Sequence, residues 1–283
     1  MRMNDIRFII VGATKSATTW LQQSLQRHPD IYMPDPELHY FSRNYHRGEA
    51  WYLSHFDNAA ESPIVGEKSN SYMDTPQAAE RIYHDLASVQ LIAQLRNPVE
   101  RAYSDYCMLY RRGEVSKDIG RYLDPRIAQG GRFLNGGLYY DQLRGFLDRF
   151  PAEQLLVLLF ESIKSDPQRQ LDLIQAFLKL DAGLQIPPLT EKIKDKTLPV
   201  ISPGLRKILA PFKSTVRPFR QTTIFKNMRS WLARETYYEP LNDDLRRRLI
   251  DYYSPQVERL GVIVRRDLSP WLHDVRPSAG NDG

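Results

Sequence analysis

An unbroken apolar run at residues 6–11 ends in Gly12. It passes through the small, hydroxyl-rich stretch Ala13-Thr14-Lys15-Ser16-Ala17 into a segment with helical spacing at Trp20, Leu21 and Leu25. A run with no polar alternation reads as a strand buried on both faces, which is the signature of a parallel sheet covered by helices. The helix that follows, expected over residues 18–27, is stopped by His28-Pro29. The same alternation recurs along the chain. Strands are expected at 64–66, 89–95 and 155–160, and helices at 76–86, 98–112, 138–150, 167–180 and 241–260. Three of these helices open on a proline, Pro76, Pro98 and Pro167, as first-turn geometry favours. Strands alternating with helices of this length predict an α/β fold: a single domain over residues 1–276, with a central parallel sheet flanked by helices. The last residues, 277–283, read as a disordered tail.

With 283 residues, 42% of them apolar, the chain has enough apolar surface for one large domain. No apolar run is long enough to span a bilayer, and the N-terminus does not have the form of a secretory signal, so a cytoplasmic location is expected. The single cysteine, Cys107, excludes an internal disulfide and a cysteine-based zinc cage. The histidines other than His39 are scattered, and no metal site is expected.

The net charge of +5 is not evenly spread. Residues 196–234 hold nine basic side chains and no acid, which leaves 30 basic against 34 acidic residues elsewhere. This segment, inside a proline-rich and weakly periodic stretch at 181–241, reads as a basic lid or surface excursion. It could close over an anionic ligand, bind an anionic acceptor, or make peripheral membrane contact through Ile208, Leu209, Phe212, Phe219, Phe225 and Trp231. It could equally be a solvated basic face.

Two stretches point to anion binding. The first is the turn after the opening strand. A helix start offers free N–H groups and the positive end of its dipole. Lys15 adds a full charge, and Ser16, Thr18 and Thr19 add hydroxyls. Otherwise Ser16 and Thr18 would serve only to cap the helix. The turn departs from the nucleotide-triphosphatase pattern G-x-x-x-x-G-K-[ST], lacking the second glycine, and the strand at 89–95 ends in Arg96 where a magnesium-holding acid would stand. The second stretch follows that strand. Arg96 sits at a strand's carboxyl end, where open α/β sheets bind ligands, and Ser104 lies two helical turns on. Arg101 and Asp105, four apart, could simply form a surface pair.

Together these stretches resemble the sulfotransferases that use 3′-phosphoadenosine 5′-phosphosulfate (PAPS). Thr14-Lys15-Ser16-Ala17-Thr18-Thr19-Trp20 is similar to their 5′-phosphosulfate loop, giving a P-loop-like turn. The segment from Leu95 through Arg96 and Ser104 to Tyr106 is similar to their 3′-phosphate motif. Pro36-Glu37-Leu38-His39-Tyr40-Phe41, Glu67-Lys68-Ser69-Asn70-Ser71-Tyr72, and Gly137-Leu138-Tyr139 with Phe150-Pro151 resemble elements of the carbohydrate (heparan-type) branch. The resemblance implies that Lys15, Ser16, Ala17, Thr18, Thr19 and Trp20 hold the 5′-phosphosulfate, and that Arg96 and Ser104 hold the 3′-phosphate. It implies that Glu37 takes the acceptor's proton and that Lys68 lies near the sulfuryl group. A late basic loop completes the site in that family, with Arg217 and Arg220 the nearest matches here.

The sequence departs from the pattern twice: Pro36 stands where a lysine is usual, and Asn70 where a proline is usual. The first removes a charge near the sulfonate or requires another source. The second leaves the local backbone open to change.

The implied chemistry is in-line transfer of a sulfuryl group to a hydroxyl of a glycan or other small-molecule acceptor, without a metal. Lys15 and helix N–H groups would stabilise charge on the leaving phosphate. Glu37 and His39 are two apart and, on an extended segment, would point the same way. Either could be the base: Glu37 by resemblance, His39 by its ordinary pKa near 6.5. Two other classes remain open, a P-loop-type nucleotide kinase and a basic membrane- or nucleic-acid-binding protein. The sulfotransferase reading itself expects no nucleic-acid partner.

Overall fold

The computed structural model describes residues 1–59, 63–181, 183–184, 200–201, 233–234 and 238–273. Five strands form one parallel sheet: β1 (Ile6–Gly12), β2 (Ile31–Tyr32), β3 (Ile64–Lys68), β4 (Gln90–Leu95) and β5 (Leu155–Leu159), in the order β2-β3-β1-β4-β5. The longer helices between them are α1 (Thr18–Leu25), α2 (Ala78–Asp85), α3 (Pro98–Arg112) and α4 (Tyr139–Leu147), with α5 (Pro167–Leu178) after β5. Farther on, β6 (Val200–Ile201) pairs antiparallel with β7 (Ala233–Arg234), and α6 (Asp243–Val264) closes the described fold. The expected α/β fold, a parallel sheet flanked by helices, is therefore present.

The pleat explains the two cores. On β1, Ile9 and Val11 face one side and Phe8 and Ile10 the other, and all four are fully buried. The first face packs under α2, α3, α4 and α6; the second packs under α1 and α5 through Leu21, Leu25, Leu171, Ile174 and Leu178. The α6 stripe Leu245, Leu249, Tyr253, Val257 and Leu260 recurs at helical spacing, so one side of this helix is continuous apolar surface. Asn242 caps it by accepting from Leu245 N–H at 2.8 Å.

Gly66 lies opposite Phe8 in the β1–β3 register, and a Cβ there would fall 2.4 Å from the Phe8 ring. Phe8 is fully buried and has little room to turn aside. Gly66→Ala is expected to destabilise the fold by about 1–3 kcal/mol, the usual cost of overpacking, measured by chemical denaturation.

The order of strands puts β3, β1 and β4 at the centre of the sheet. Their carboxyl ends meet along one edge, and the residues singled out for function sit there: the Lys15 turn after β1, Lys68 at the end of β3 and Arg96 after β4. The pair of Arg101 and Asp105 is not on the surface but buried, at 1% and 2% side-chain exposure, with 3.7 Å between Nη1 and Oδ2. Arg132 also holds Asp105, through Nε at 3.0 Å and Nη2 at 3.1 Å, and Arg101 donates to the Phe133 carbonyl. The pair fixes the 132–135 turn onto α3, which is an interior role. The basic stretch 196–234, including Arg217 and Arg220, lies outside the described residues apart from β6 and β7, as does the tail 277–283.

Candidate active site

β1 ends at Gly12, whose φ of +149° and close packing favour glycine. A Cβ there would lie 2.9 Å from Met73 Cβ and 3.0 Å from the Asn70 carbonyl oxygen. Lys15 and Ala17 adopt left-handed backbone angles, φ 72° and 64°. Such a turn brings successive amides toward a common side, a geometry suited to anions. Ala17 is the N-cap of α1 and supplies no side-chain cap, so Ser16 and Thr18 do not act as helix caps. The first helical bond is donated by Leu21 N–H to Ala17, which leaves the first-turn amides of Thr18, Thr19 and Trp20 without an intrahelical acceptor. Ser16 is fully buried, and its Oγ has no hydrogen-bond partner. The Tyr139 phenol is also buried and likewise has no hydrogen-bond partner; burial raises its pKa, and the Ser16 hydroxyl beside it draws it back. Two unsatisfied hydroxyls beside a lysine and a helix start form a donor set that fits a phosphate.

The Arg96 turn touches the Lys15 turn directly: Arg96 Nη1 donates to the Lys15 carbonyl at 3.2 Å. The Arg96 guanidinium lies over the Phe160 ring, 4.5 Å from its centroid, and burial pulls its pKa down while Glu100 and Glu161 oppose the shift. Asn97 starts α3, accepting from Val99 N–H at 3.0 Å and Glu100 N–H at 3.3 Å. Ser104 lies on α3 and is buried. Met108 follows four residues later on the same face, and its Sδ is 3.8 Å from Lys15 Nζ. The lysine of the first turn therefore lies against the helix that carries Ser104.

The third group gathers at the end of β3. Lys68, only 4% exposed, places Nζ 3.0 Å from Glu37 Oε1. Asn70 donates twice to the same carboxylate, from its backbone N–H to Oε2 at 3.1 Å and from Nδ2 to Oε1 at 3.0 Å. A proline could make neither bond, so this departure from the family pattern supplies a clamp on Glu37. The ammonium touching Glu37 comes from β3, and residue 36 is not needed for it.

His39 Nε2 lies 3.7 Å from Glu37 Oε2, and Nδ1 lies 2.7 Å from Ser71 Oγ. The two side chains do share one place, but for a different reason from the one expected. The segment is not extended: His39 has φ 50°, and a helical turn, Tyr40–Asn44, begins immediately after it. Burial lowers the His39 pKa, partly offset by Glu37, which keeps the imidazole neutral at neutral pH.

The sequence reading assigned no role to Asn70, Tyr139 or Glu67, although all three lie in stretches it quoted. The signal for Asn70 was its substitution for proline. For Tyr139 and Glu67 the signal was weaker: a phenol beside a glycine pair and an acid at the end of a short apolar strand.

The match to the sulfotransferase domain model covers residues 5–230. Heparan sulfate glucosamine 3-O-sulfotransferase 3A1 of Mus musculus is 35% identical over 177 residues, which is 61% of this chain and 45% of that protein. Heparan sulfate glucosamine 3-O-sulfotransferase 6 of Homo sapiens is 35% identical over 181 residues, covering 61% and 52%. The chain thus spans about half the length of the curated relatives it matches. Among solved structures, a sulfotransferase from Alicyclobacillus acidocaldarius superposes with a TM-score of 0.70 at 28% identity, covering 95% of this chain and 99% of that one. The sulfotransferase domain of the curacin biosynthetic pathway shares the fold, with a TM-score of 0.51 at 16% identity. With its parallel sheet, its turn after β1 and a family match over most of its length, this chain is a member of the sulfotransferase family.

Proposed function

We propose that this protein transfers the sulfuryl group of PAPS to a hydroxyl of a carbohydrate acceptor. The observation that carries the reading is the contact between two anion-suited turns, Arg96 Nη1 on the Lys15 carbonyl, with the Glu37 carboxylate held beside Lys68 on the adjacent strand. A nucleotide phosphorylated at both 3′ and 5′ positions matches two such turns, and a singly phosphorylated nucleotide uses one. The glycan acceptor is supported by the relatives, which are named for transfer to heparan sulfate glucosamine.

PAPS, when bound, supplies the activated sulfuryl group. Lys15, Ser16, Ala17 and the first-turn amides of Thr18, Thr19 and Trp20 would hold its 5′ side, and Arg96 and Ser104 its 3′-phosphate. The side chain and dipole at the Lys15 turn favour negative charge there, the charge that grows on a departing phosphate. Glu37 takes the proton of the acceptor hydroxyl at a carboxylate oxygen. Asn70 keeps that carboxylate from rotating, and Lys68 pairs with it through its ammonium. His39, neutral and turned toward Ser71, orients the hydroxyl or takes the proton from Glu37. Transfer runs in line and draws on no metal, since the strand end that would carry a metal-holding acid carries Arg96.

Incubation with isotopically labelled PAPS and a panel of glucosamine-containing oligosaccharides, read by mass, tests the proposal. The expected result is acceptor product heavier by one SO₃ group, formed without added magnesium. Binding of ATP with magnesium in preference to 3′-phosphoadenosine 5′-phosphate would overturn it in favour of a kinase.

A further inference from the structure

Glu67, next to Lys68 on β3, is fully buried. It takes no part in the proton transfer described above, and a buried carboxylate surrounded by neutral groups is a poor source of stability. Its contacts suggest a different use. Tyr72 OH donates to Oε1 at 2.6 Å, Tyr52 OH donates to the same oxygen at 3.2 Å, and Ser69 Oγ donates to Oε2 at 2.8 Å. Two of these hydroxyls also reach the segment that carries Glu37 and His39. Ser69 Oγ accepts from His39 N–H at 2.9 Å, and Tyr72 OH accepts from Tyr40 N–H at 2.9 Å.

A hydroxyl has one proton to give. Ser69 and Tyr72 each accept a backbone N–H, so each must direct its own proton at Glu67. An ionised carboxylate, which accepts only, takes three hydroxyl protons at once. A glutamine cannot: whichever way its amide is turned, the NH₂ faces at least one hydroxyl that is already accepting, and a buried proton is left without an acceptor. The segment held in this way is under strain, because His39 is a non-glycine residue in the left-handed region and persists there only if its surroundings fix it. Its carbonyl accepts from Arg43 N–H at 2.8 Å and Asn44 N–H at 3.0 Å, so the two N–H bonds and the turn after them define one conformation. Burial outweighs the Tyr72, Ser69 and Tyr52 bonds and raises Glu67 to about 7, so the ionised, accept-only form prevails above that pH, where the variants are compared.

We propose that Glu67 is a positioning residue: through the hydroxyls of Ser69 and Tyr72 it pins the backbone of His39 and Tyr40, and so holds Glu37 and His39 where the acceptor loses its proton. The inference rests on the role given to Glu37 above.

Three variants test it: Glu67→Gln, Ser69→Ala and Tyr52→Phe. Tyr52 donates to Glu67 but reaches neither the His39 nor the Tyr40 N–H, so its loss removes a contact to the same carboxylate without cutting a relay. The first readout is amide hydrogen exchange at His39 and Tyr40, which does not depend on sulfuryl transfer. Glu67→Gln should lose at least tenfold in protection at His39, at Tyr40 or at both, Ser69→Ala at His39 alone, and Tyr52→Phe at neither. The second readout is steady-state kinetics. In Glu67→Gln and Ser69→Ala, kcat should fall tenfold or more with 3′-phosphoadenosine 5′-phosphate affinity unchanged, and Tyr52→Phe should stay within threefold of the parent. If Glu67→Gln does not fold, Ser69→Ala decides. Unchanged exchange at His39 in Ser69→Ala, or unchanged kcat in a folded variant that has lost protection, overturns the proposal. A parent protein that shows the exchange pattern but no transfer to any acceptor overturns the reading of Glu37 and leaves the pinning of the backbone supported.

Discussion

Replacing Arg96 with alanine should weaken binding of 3′-phosphoadenosine 5′-phosphate by about 10- to 100-fold, the ~1.5–3 kcal/mol of a charge-assisted hydrogen bond. The same substitution should change AMP affinity by about threefold or less, because AMP has no 3′-phosphate and Arg96 supports the other turn only through one bond to the Lys15 carbonyl. This difference between two ligands is the informative quantity. Arg96 lies over Phe160 and beside the Glu161 and Glu100 carboxylates, so a general loosening of the site would weaken both nucleotides alike. Isothermal calorimetry with the two nucleotides separates the cases. Equal losses for both would mean that Arg96 is an internal support and that the 3′-phosphate is held elsewhere. Ser104→Ala should show the same selectivity with a smaller loss, about fivefold, as expected for a neutral hydroxyl donor.

Glu37→Gln should leave nucleotide affinity within about twofold and lower kcat by about 10²- to 10⁴-fold, the range that a positioned general base contributes. The amide is close to isosteric, so it keeps the bond from the Asn70 backbone or side chain while losing the capacity to take a proton. Lys68 complicates a simpler truncation: Glu37→Ala would strand a buried ammonium and confuse catalysis with stability. His39→Gln serves as the counterpart. With its imidazole neutral and turned toward Ser71, His39 is expected to contribute about tenfold or less to kcat. Rates measured for both variants at saturating acceptor decide between them. If His39→Gln loses the larger factor, the imidazole is the base and Glu37 its partner.

Much of this architecture was legible in the sequence because the signals were local. The apolar run before Gly12 and the prolines at the start of α3 and α5 depend on neighbouring residues alone, and the strands and long helices fall within a few residues of their expected ends. What was not legible depended on contacts between distant segments. Ile31–Tyr32 is too short for any periodicity, and it is a strand because it pairs with Ile64 and Val65. Glu37 and His39 were expected to share a side only on an extended segment, but the chain leaves His39 into a turn at Tyr40–Asn44. It is a turn because Tyr40 and Phe41 pack on Tyr52 and Tyr72, and because Ser69 and Tyr72 hold the His39 and Tyr40 amides. Arg101 and Asp105 had surface spacing on an isolated helix, and Arg132 with the Phe133 carbonyl draws them inside. The same limit applied to the site. Lys15, Arg96 and Glu37 were identifiable by chemistry at strand ends, whereas the clamp from Asn70 and the unsatisfied hydroxyls of Ser16 and Tyr139 exist only once the strands are side by side.

The most direct test of the account is a crystal structure of this protein with 3′-phosphoadenosine 5′-phosphate. The expected density places the 5′-phosphate on the Lys15 turn, within hydrogen-bond distance of the Ser16 hydroxyl, and the 3′-phosphate between Arg96 and Ser104. A nucleotide that binds elsewhere, or that leaves either turn without a phosphate, would contradict it.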